Sequence, residues 1–291
     1  MIYLFVLAVG LLAAFGNAAT PPAPEQIAVS LATHNGGDGS GGMVLINPSG
    51  RRLAVLTKRR AGREDSEPAW SPDGSRLAFT RTADGRRSFQ IYVMRADGKG
   101  VRRITRGRFD YSPSWSPDGR WIAYRSNGAL RIVHPDGTGG RSVPTRRPTE
   151  VEYPGWAPGG RIAYSYWSTI PQDWPAACHR ARSGCGHVIS SRLDGSRRRL
   201  IVRGRDAHWS RDGRMIVYTG PDGGVYVAPS AGGGGRLLGR GYRAEWSRDG
   251  SQIVYARLGS RPSQDSVWIM NRDGSNAHRI SRGASNPAWR P

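Results

Sequence analysis

Five times along the chain a Trp is followed by a polar turn and then by apolar residues that alternate with a period of two. The phrases are Trp70-Ser71-Pro72-Asp73-Gly74, Trp115-Ser116-Pro117-Asp118-Gly119, Trp156-Ala157-Pro158-Gly159-Gly160, Trp209-Ser210-Arg211-Asp212-Gly213 and Trp246-Ser247-Arg248-Asp249-Gly250, of which the Trp156 copy is one residue short. Pro presets a tight reversal, and Asp and Gly close it. The pairs that follow are Leu77 and Phe79, Ile122 and Tyr124, Ile162 and Tyr164, Ile216 and Tyr218, and Ile253 and Tyr255. They stand two apart, as on one side of a strand. Further strands, Ile91 to Met94 and Val267 to Met270, run into Asp97-Gly98 and Asp273-Gly274. Such Asp-Gly pairs are hairpin signals.

A second regularity survives where these letters do not. Six residues after each turn glycine stands an aliphatic residue: Gly50 gives Leu56, Gly98 gives Ile104, Gly137 gives Val143, Gly195 gives Ile201, Gly232 gives Leu238 and Gly274 gives Ile280. Six copies imply six outer strands, yet only five Trp phrases open a strand of their own. The stretch from Ile27 to Thr57 begins in mid-repeat, and Trp289 at the far end supplies the missing piece. Trp-to-Trp steps of 45, 41, 53, 37 and 43 residues give the period near forty of propeller blades. The predicted fold is all-β: a six-bladed β-propeller of four-stranded antiparallel blades over residues 26–291. Residues 286–289 pair into the first blade and close the ring, which removes open sheet edges. The six Trp residues are assigned to packing between blades.

The ends add a compartment. Met1 to Phe15 is an uncharged apolar run, and Gly16-Asn17-Ala18 suits cleavage after Ala18, so residues 1–18 read as a signal peptide. Without a positive n-region, an uncleaved membrane anchor is the alternative. Residues 19–25, with Pro21, Pro22 and Pro24, form a stiff lead-in. The expected location is periplasmic or secreted. Cys178 and Cys185 fall in the longest insertion, 169–186, and in an exported chain are expected to form a disulfide. His179 and His187 beside them make zinc the alternative, although one short loop seldom wraps a metal unaided.

The net charge of +21 is carried almost wholly by arginine, since Lys58 and Lys99 are the only lysines. Arginine's planar fork suits carboxylate and phosphate. Clusters at Lys58-Arg59-Arg60, Arg146-Arg147 and Arg197-Arg198-Arg199 point to a polyanionic partner, against the plainer reading of an Arg-biased solvated surface.

The Trp-Ser-Pro-Asp-Gly phrase of Trp70 to Gly74, the strand Leu77 to Phe79, the strand Ile91 to Met94, the Asp97-Gly98 turn and the closing Ile104-Thr105 together resemble the WD-like propeller repeat of the TolB-like family. The resemblance implies that the strand before each Trp lies along a central channel. Its mouth would then be ringed by the residues three before each Trp: Glu67, Ser112, Tyr153, Asp206, Arg243 and Asn286. These vary from blade to blade on a repeating scaffold, where a propeller holds its partner. The insertion with Tyr166, Trp167 and Trp174 would open onto the same face.

Catalysis finds little support. No Gly-x-Ser-x-Gly elbow occurs, and the repeat is Ser-x-Asp-Gly, not the Ser-x-Asp-x-Gly box of sialidases. The six histidines are scattered. Asp73, Asp118, Asp212 and Asp249 read as turn formers, because Gly159 holds their place in another copy. The expected function is a non-catalytic, monomeric module that binds an envelope or extracellular protein or peptide through the channel mouth, with no cofactor and no metal. The alternative is a lyase or lactonase acting on an acidic polymer through Arg243, Tyr153 and Glu67.

Overall fold

The computed structural model describes residues 25–31, 41–58, 60–83, 88–145, 151–168 and 185–291. The expected leader, Cys178, His179 and Trp174 lie outside these, and no disulfide is seen between described residues. Six four-stranded antiparallel sheets form the molecule. In the first blade the order is Ala284–Trp289, Ile27–Leu31, Met43–Ile46, Arg52–Thr57. The C-terminal strand is thus the inner strand of a sheet whose other three strands come from the N-terminal side. It begins two residues earlier than the sequence suggested. The remaining inner strands are Glu64–Trp70, Asp110–Trp115, Val151–Ala157, Arg205–Trp209 and Tyr242–Trp246, which open blades two to six.

One register recurs. Each inner-strand Trp stands opposite the first aliphatic residue of the next strand: Trp70 with Leu77, Trp115 with Ile122, Trp156 with Ile162, Trp209 with Ile216, Trp246 with Ile253 and Trp289 with Ile27. Between them the serine hydroxyl and the aspartate knit the turn, as where Ser71 Oγ donates to Asp73 Oδ1 at 2.6 Å and accepts from the Arg76 N–H at 2.9 Å. Hydrogen bonds from Ser71 and Ser75 hold the Asp73 carboxyl down at about 2. The short fourth copy makes a 3-10 turn over Pro158–Gly160 instead.

The apolar core lies between sheets. Ile27, Val29, Val44 and Ile46 of the first blade pack on Val254, Val267 and Ile269 of the sixth, while Ala28, Met43 and Leu45 pack on Leu77, Phe79 and Met94 of the second. Each alternating strand therefore buries both faces, one against each neighbour. Four indoles add a polar tie. The Nε1–H groups of Trp70, Trp115, Trp156 and Trp246 donate to the carbonyls of Ala288, Ala69, Ser114 and His208 at 3.0–3.2 Å, and each acceptor stands just before the preceding blade's Trp. Trp70, Trp115, Trp246 and Trp289 are buried, whereas Trp156 and Trp209 are only half-buried.

Candidate functional site

The inner strands are edge strands around a central channel, and each is bent by a β-bulge that falls on the residue three before its Trp. Glu67, Ser112, Tyr153, Asp206, Arg243 and Asn286 all adopt left-handed backbone, with φ of 52, 51, 44, 54, 51 and 48°. A side chain in that region costs roughly 1–2 kcal/mol. Bulges interrupt the ladder, which is why Pro68, Pro113, Pro154 and Pro287 fit directly after them. All six bulge residues line one cavity of about 660 Å³. They sit within the strands.

Charged side chains meet across this cavity. Arg243 of the sixth blade donates to Glu67 Oε1 of the second at 2.6 Å. Thr80 Oγ1, the Ser112 N–H and Ser112 Oγ also donate to Glu67, at 2.8, 2.8 and 3.1 Å. Burial pushes the Glu67 pKa up, but Arg243 and these donors outweigh it and hold the carboxyl below its usual range. The Arg243 guanidinium also stands 5.1 Å above the Tyr153 ring. Despite burial, the charges of Glu67 and Asp206 raise its pKa.

Two further residues, absent from the sequence expectations, complete the cluster. His208 Nε2 lies 3.3 Å from Asp206 Oδ1, and its Nδ1 lies 3.6 Å from Glu245 Oε1. Glu245 Oε2 accepts the Trp289 N–H at 3.0 Å. Burial opposes charge on His208, yet the hydrogen bond to Asp206 and the charge of Glu245 raise its pKa. Burial raises the Glu245 pKa as well. Asp206 Oδ2 is buried without a hydrogen-bond partner.

The signal for these residues was present in the repeat itself. At the position before each Trp, four blades carry Ala69, Ser114, Gly155 and Ala288, while blades five and six carry His208 and Glu245. Two before the Trp, the same two blades replace proline with Ala207 and Ala244. Two after it, they replace Pro72, Pro117, Pro158 and Pro291 with Arg211 and Arg248. At these three positions one sector of the wall thus carries His208, Glu245, Arg211 and Arg248 where the other blades carry proline or small residues.

Of the aromatic residues expected at the insertion, only the Tyr166 side chain lies among the described residues. Tyr166 is buried and stacks on buried His187 with ring centroids 5.2 Å apart, so it belongs to the core and offers no exposed anchor. Among the described residues, no three His, Cys, Asp or Glu side chains are grouped to hold a metal, and no helix is long and apolar enough to cross a membrane.

Solved structures of the same shape include TolB from Acinetobacter baumannii, 17% identical over 92% of this chain and 67% of that one, with a TM-score of 0.71. Kuenenia stuttgartiensis hydrazine synthase is 14% identical over 92% of this chain and 47% of that one, at 0.70. An oligogalacturonate lyase in complex with manganese is 16% identical over 88% and 73%, at 0.51. At these identities the likeness shows the fold alone. No curated protein sequence matches the chain. The TolB beta propeller domain family matches residues 10–172, more than half of the sequence. With six blades, the Trp-Ser-Pro-Asp-Gly turns and the ring closure in place, the chain belongs to the TolB β-propeller family.

Proposed function

We propose that this propeller is a non-catalytic interaction module, exported to the periplasm or beyond, that receives a peptide segment of an envelope or extracellular protein in its channel. The observation that carries this reading is the saturation of Glu67, the base of the lyase alternative. Glu67 accepts four hydrogen bonds, from Thr80, Ser112 and Arg243, and is held as a carboxylate. A general base for proton abstraction needs a free lone pair facing the substrate. The residues of the lyase alternative, Arg243, Tyr153 and Glu67, are engaged with one another instead. Around them lie the indoles of the six inner strands and the prolines of four of them, a surface suited to apolar side chains and rigid backbone. The cavity size falls in the range of specific ligand sites.

The test places a photo-crosslinking residue at Ser112 or Asn286 in the channel, with Arg103 on an exposed outer strand as control. The channel positions are expected to capture a discrete protein segment, and capture is expected to vanish when Arg243→Glu and Asp206→Lys are added to a chain that still melts cooperatively. Turnover of an acidic glycan such as pectate, abolished by the same pair, overturns the proposal in favour of an enzyme.

A further inference from the structure

Arg211 and Arg248 stand where the other four blades carry proline, at the second position of the turn after the Trp. Both are exposed, both line the cavity, and neither guanidinium takes part in a hydrogen bond or ion pair among the described residues. Their turns are otherwise unchanged. Gly213 N–H donates to the Ser210 carbonyl at 2.8 Å and Gly250 N–H to the Ser247 carbonyl at 3.0 Å, as Gly74 does to Ser71 at 2.8 Å. Proline is favoured at this position of such a turn, so its replacement in two adjacent blades serves something other than the turn.

The rim is also open beside Arg211. Two of the kept prolines back the next blade's turn glycine: a Cβ added at Gly213 would stand 2.8 Å from Pro158, and one at Gly119 would stand 3.8 Å from Pro72. Beyond Arg211 the equivalent glycine, Gly250, has nothing within 4 Å, as has Gly159 of the shortened fourth turn. The neighbouring carboxylates of Asp212 and Asp249 accept from Ser210 and Ser247 at 2.6 Å and form no ion pair with Arg211 or Arg248 among the described residues. The same two blades supply Asp206, His208, Arg243 and Glu245 of the charged cluster.

We propose that Arg211 and Arg248 form a carboxylate clamp at the turn-side mouth of the channel, specific for an acidic residue of the peptide received there. This rests on the peptide reading of the channel and names its partner chemistry. Two guanidiniums offer paired donors to one carboxylate. A polyuronate fits less well. It repeats its charge along the chain and would bring further carboxylates against Glu67, Asp206 and Glu245, whereas a peptide presents one acid among neutral residues to the Trp and Pro walls.

The test uses the full chain and two probe mixtures of acetylated pentapeptide amides, apolar at four positions and either Asp or Asn at the centre, read by the indole N–H signals of the channel tryptophans. The Asp mixture is expected to half-saturate at a concentration about tenfold lower than the Asn mixture, the size of one charge-assisted hydrogen bond pair. Arg211→Pro with Arg248→Pro restores the residue of the other blades, and neither backbone N–H is used by its turn. This variant is expected to fold and to bind both mixtures alike. Arg279→Gln with Arg282→Gln, which removes the same charge from an exposed outer strand, is expected to keep the preference. Equal binding of the two mixtures by the unaltered chain overturns the clamp while leaving the peptide channel standing. Tighter binding of trigalacturonate than of the Asp mixture overturns the clamp's peptide specificity. Silence of every channel indole toward both mixtures overturns clamp and channel together.

Discussion

Asn286 shows what the channel asks of single residues: it holds φ at 48° in the middle of a strand, with Pro287 behind it. Asparagine tolerates this region and a β-branched residue does not. Asn286→Val is therefore expected to destabilise the fold by about 1–2 kcal/mol and Asn286→Gly to be nearly neutral, as measured by denaturant unfolding. Equal losses in both would mean that side-chain contacts, not backbone, set the position. Spacing from the Trp located all six bulge residues, but not their conformation, because Glu67, Ser112, Tyr153 and Arg243 carry no residue-type mark of left-handed backbone. His208 and Glu245 escaped for a different reason: their meeting depends on two blades converging, which no single repeat reveals. His208 gives a second expectation. Its pKa is raised above 6.5, so the protonated ring between Asp206 and Glu245 contributes stability that is full below that value and is lost as pH rises through the higher, folded one. Asp206, held below 3.8 by His208 and Arg243 in spite of burial, contributes above 3.8 and loses this as pH falls further. The melting-temperature gap between the native chain and His208→Gln should thus be widest at mildly acidic pH and narrow on the alkaline side. A gap that widens with pH would mean that the ring is neutral in the fold.

At the scale of the strand and its turn, the glycine and the aliphatic residue six places later belong to two seams, not one. Gly98 of the second blade presses on the Leu56 carbonyl of the first, Gly137 on Ile104, Gly232 on Ile201, Gly274 on Leu238 and Gly50 on Ile280. The pattern that counted the outer strands is the mark of a contact running around the ring, from five of the six turns to the aliphatic residue of the blade before, with Gly195 meeting Pro144, next to Val143, instead. Periodicity exposed the count, since each seam repeats, but not the partner, since the contact crosses to another copy. Arginine takes part in the same seam. Arg102 donates to the Pro135 carbonyl and Arg236 to the Asp273 carbonyl, at 3.0 and 2.9 Å, and Arg199 donates to the Ala231 carbonyl. Each reaches the turn of the following blade, so part of the +21 charge serves as fastening between sheets. Gly98→Ala meets both a φ of +79° and a Cβ 2.7 Å from the Leu56 oxygen, while Gly62→Ala meets a φ of +72° and open space. Gly62→Ala should lose about 1 kcal/mol, the ordinary left-handed penalty, and Gly98→Ala at least about 1–3 kcal/mol more for the forced shift of packed backbone. Matching unfolding midpoints for the two variants would show that the seam gives way freely.

For the molecule as a whole, everything depends on the last strand completing the first sheet. Trp289 pairs with Ile27, the Ala288 carbonyl accepts from the Trp70 indole, and Arg290 reaches back to the Gly74 carbonyl at 2.9 Å. These ties join the chain's end to blades one and two at once, and Glu245 of blade six is tied to the Trp289 N–H. Deleting residues 284–291 leaves the first blade with three strands and bares the edge of Ile27–Leu31, an apolar strand whose described neighbours on that side are all removed. The lost Trp alone accounts for about 3–5 kcal/mol, and the bared edge invites pairing with another copy. The truncated chain is expected to melt well below the full one and to sediment as a mixture of oligomers. A synthetic peptide covering residues 282–291, supplied in excess, is expected to return it to a monomer, because it restores the same register against Ile27–Leu31. A truncated chain that stays monomeric with an unchanged melting temperature would mean that the ring is held by the seams between sheets alone, and that the closing strand follows the fold without securing it.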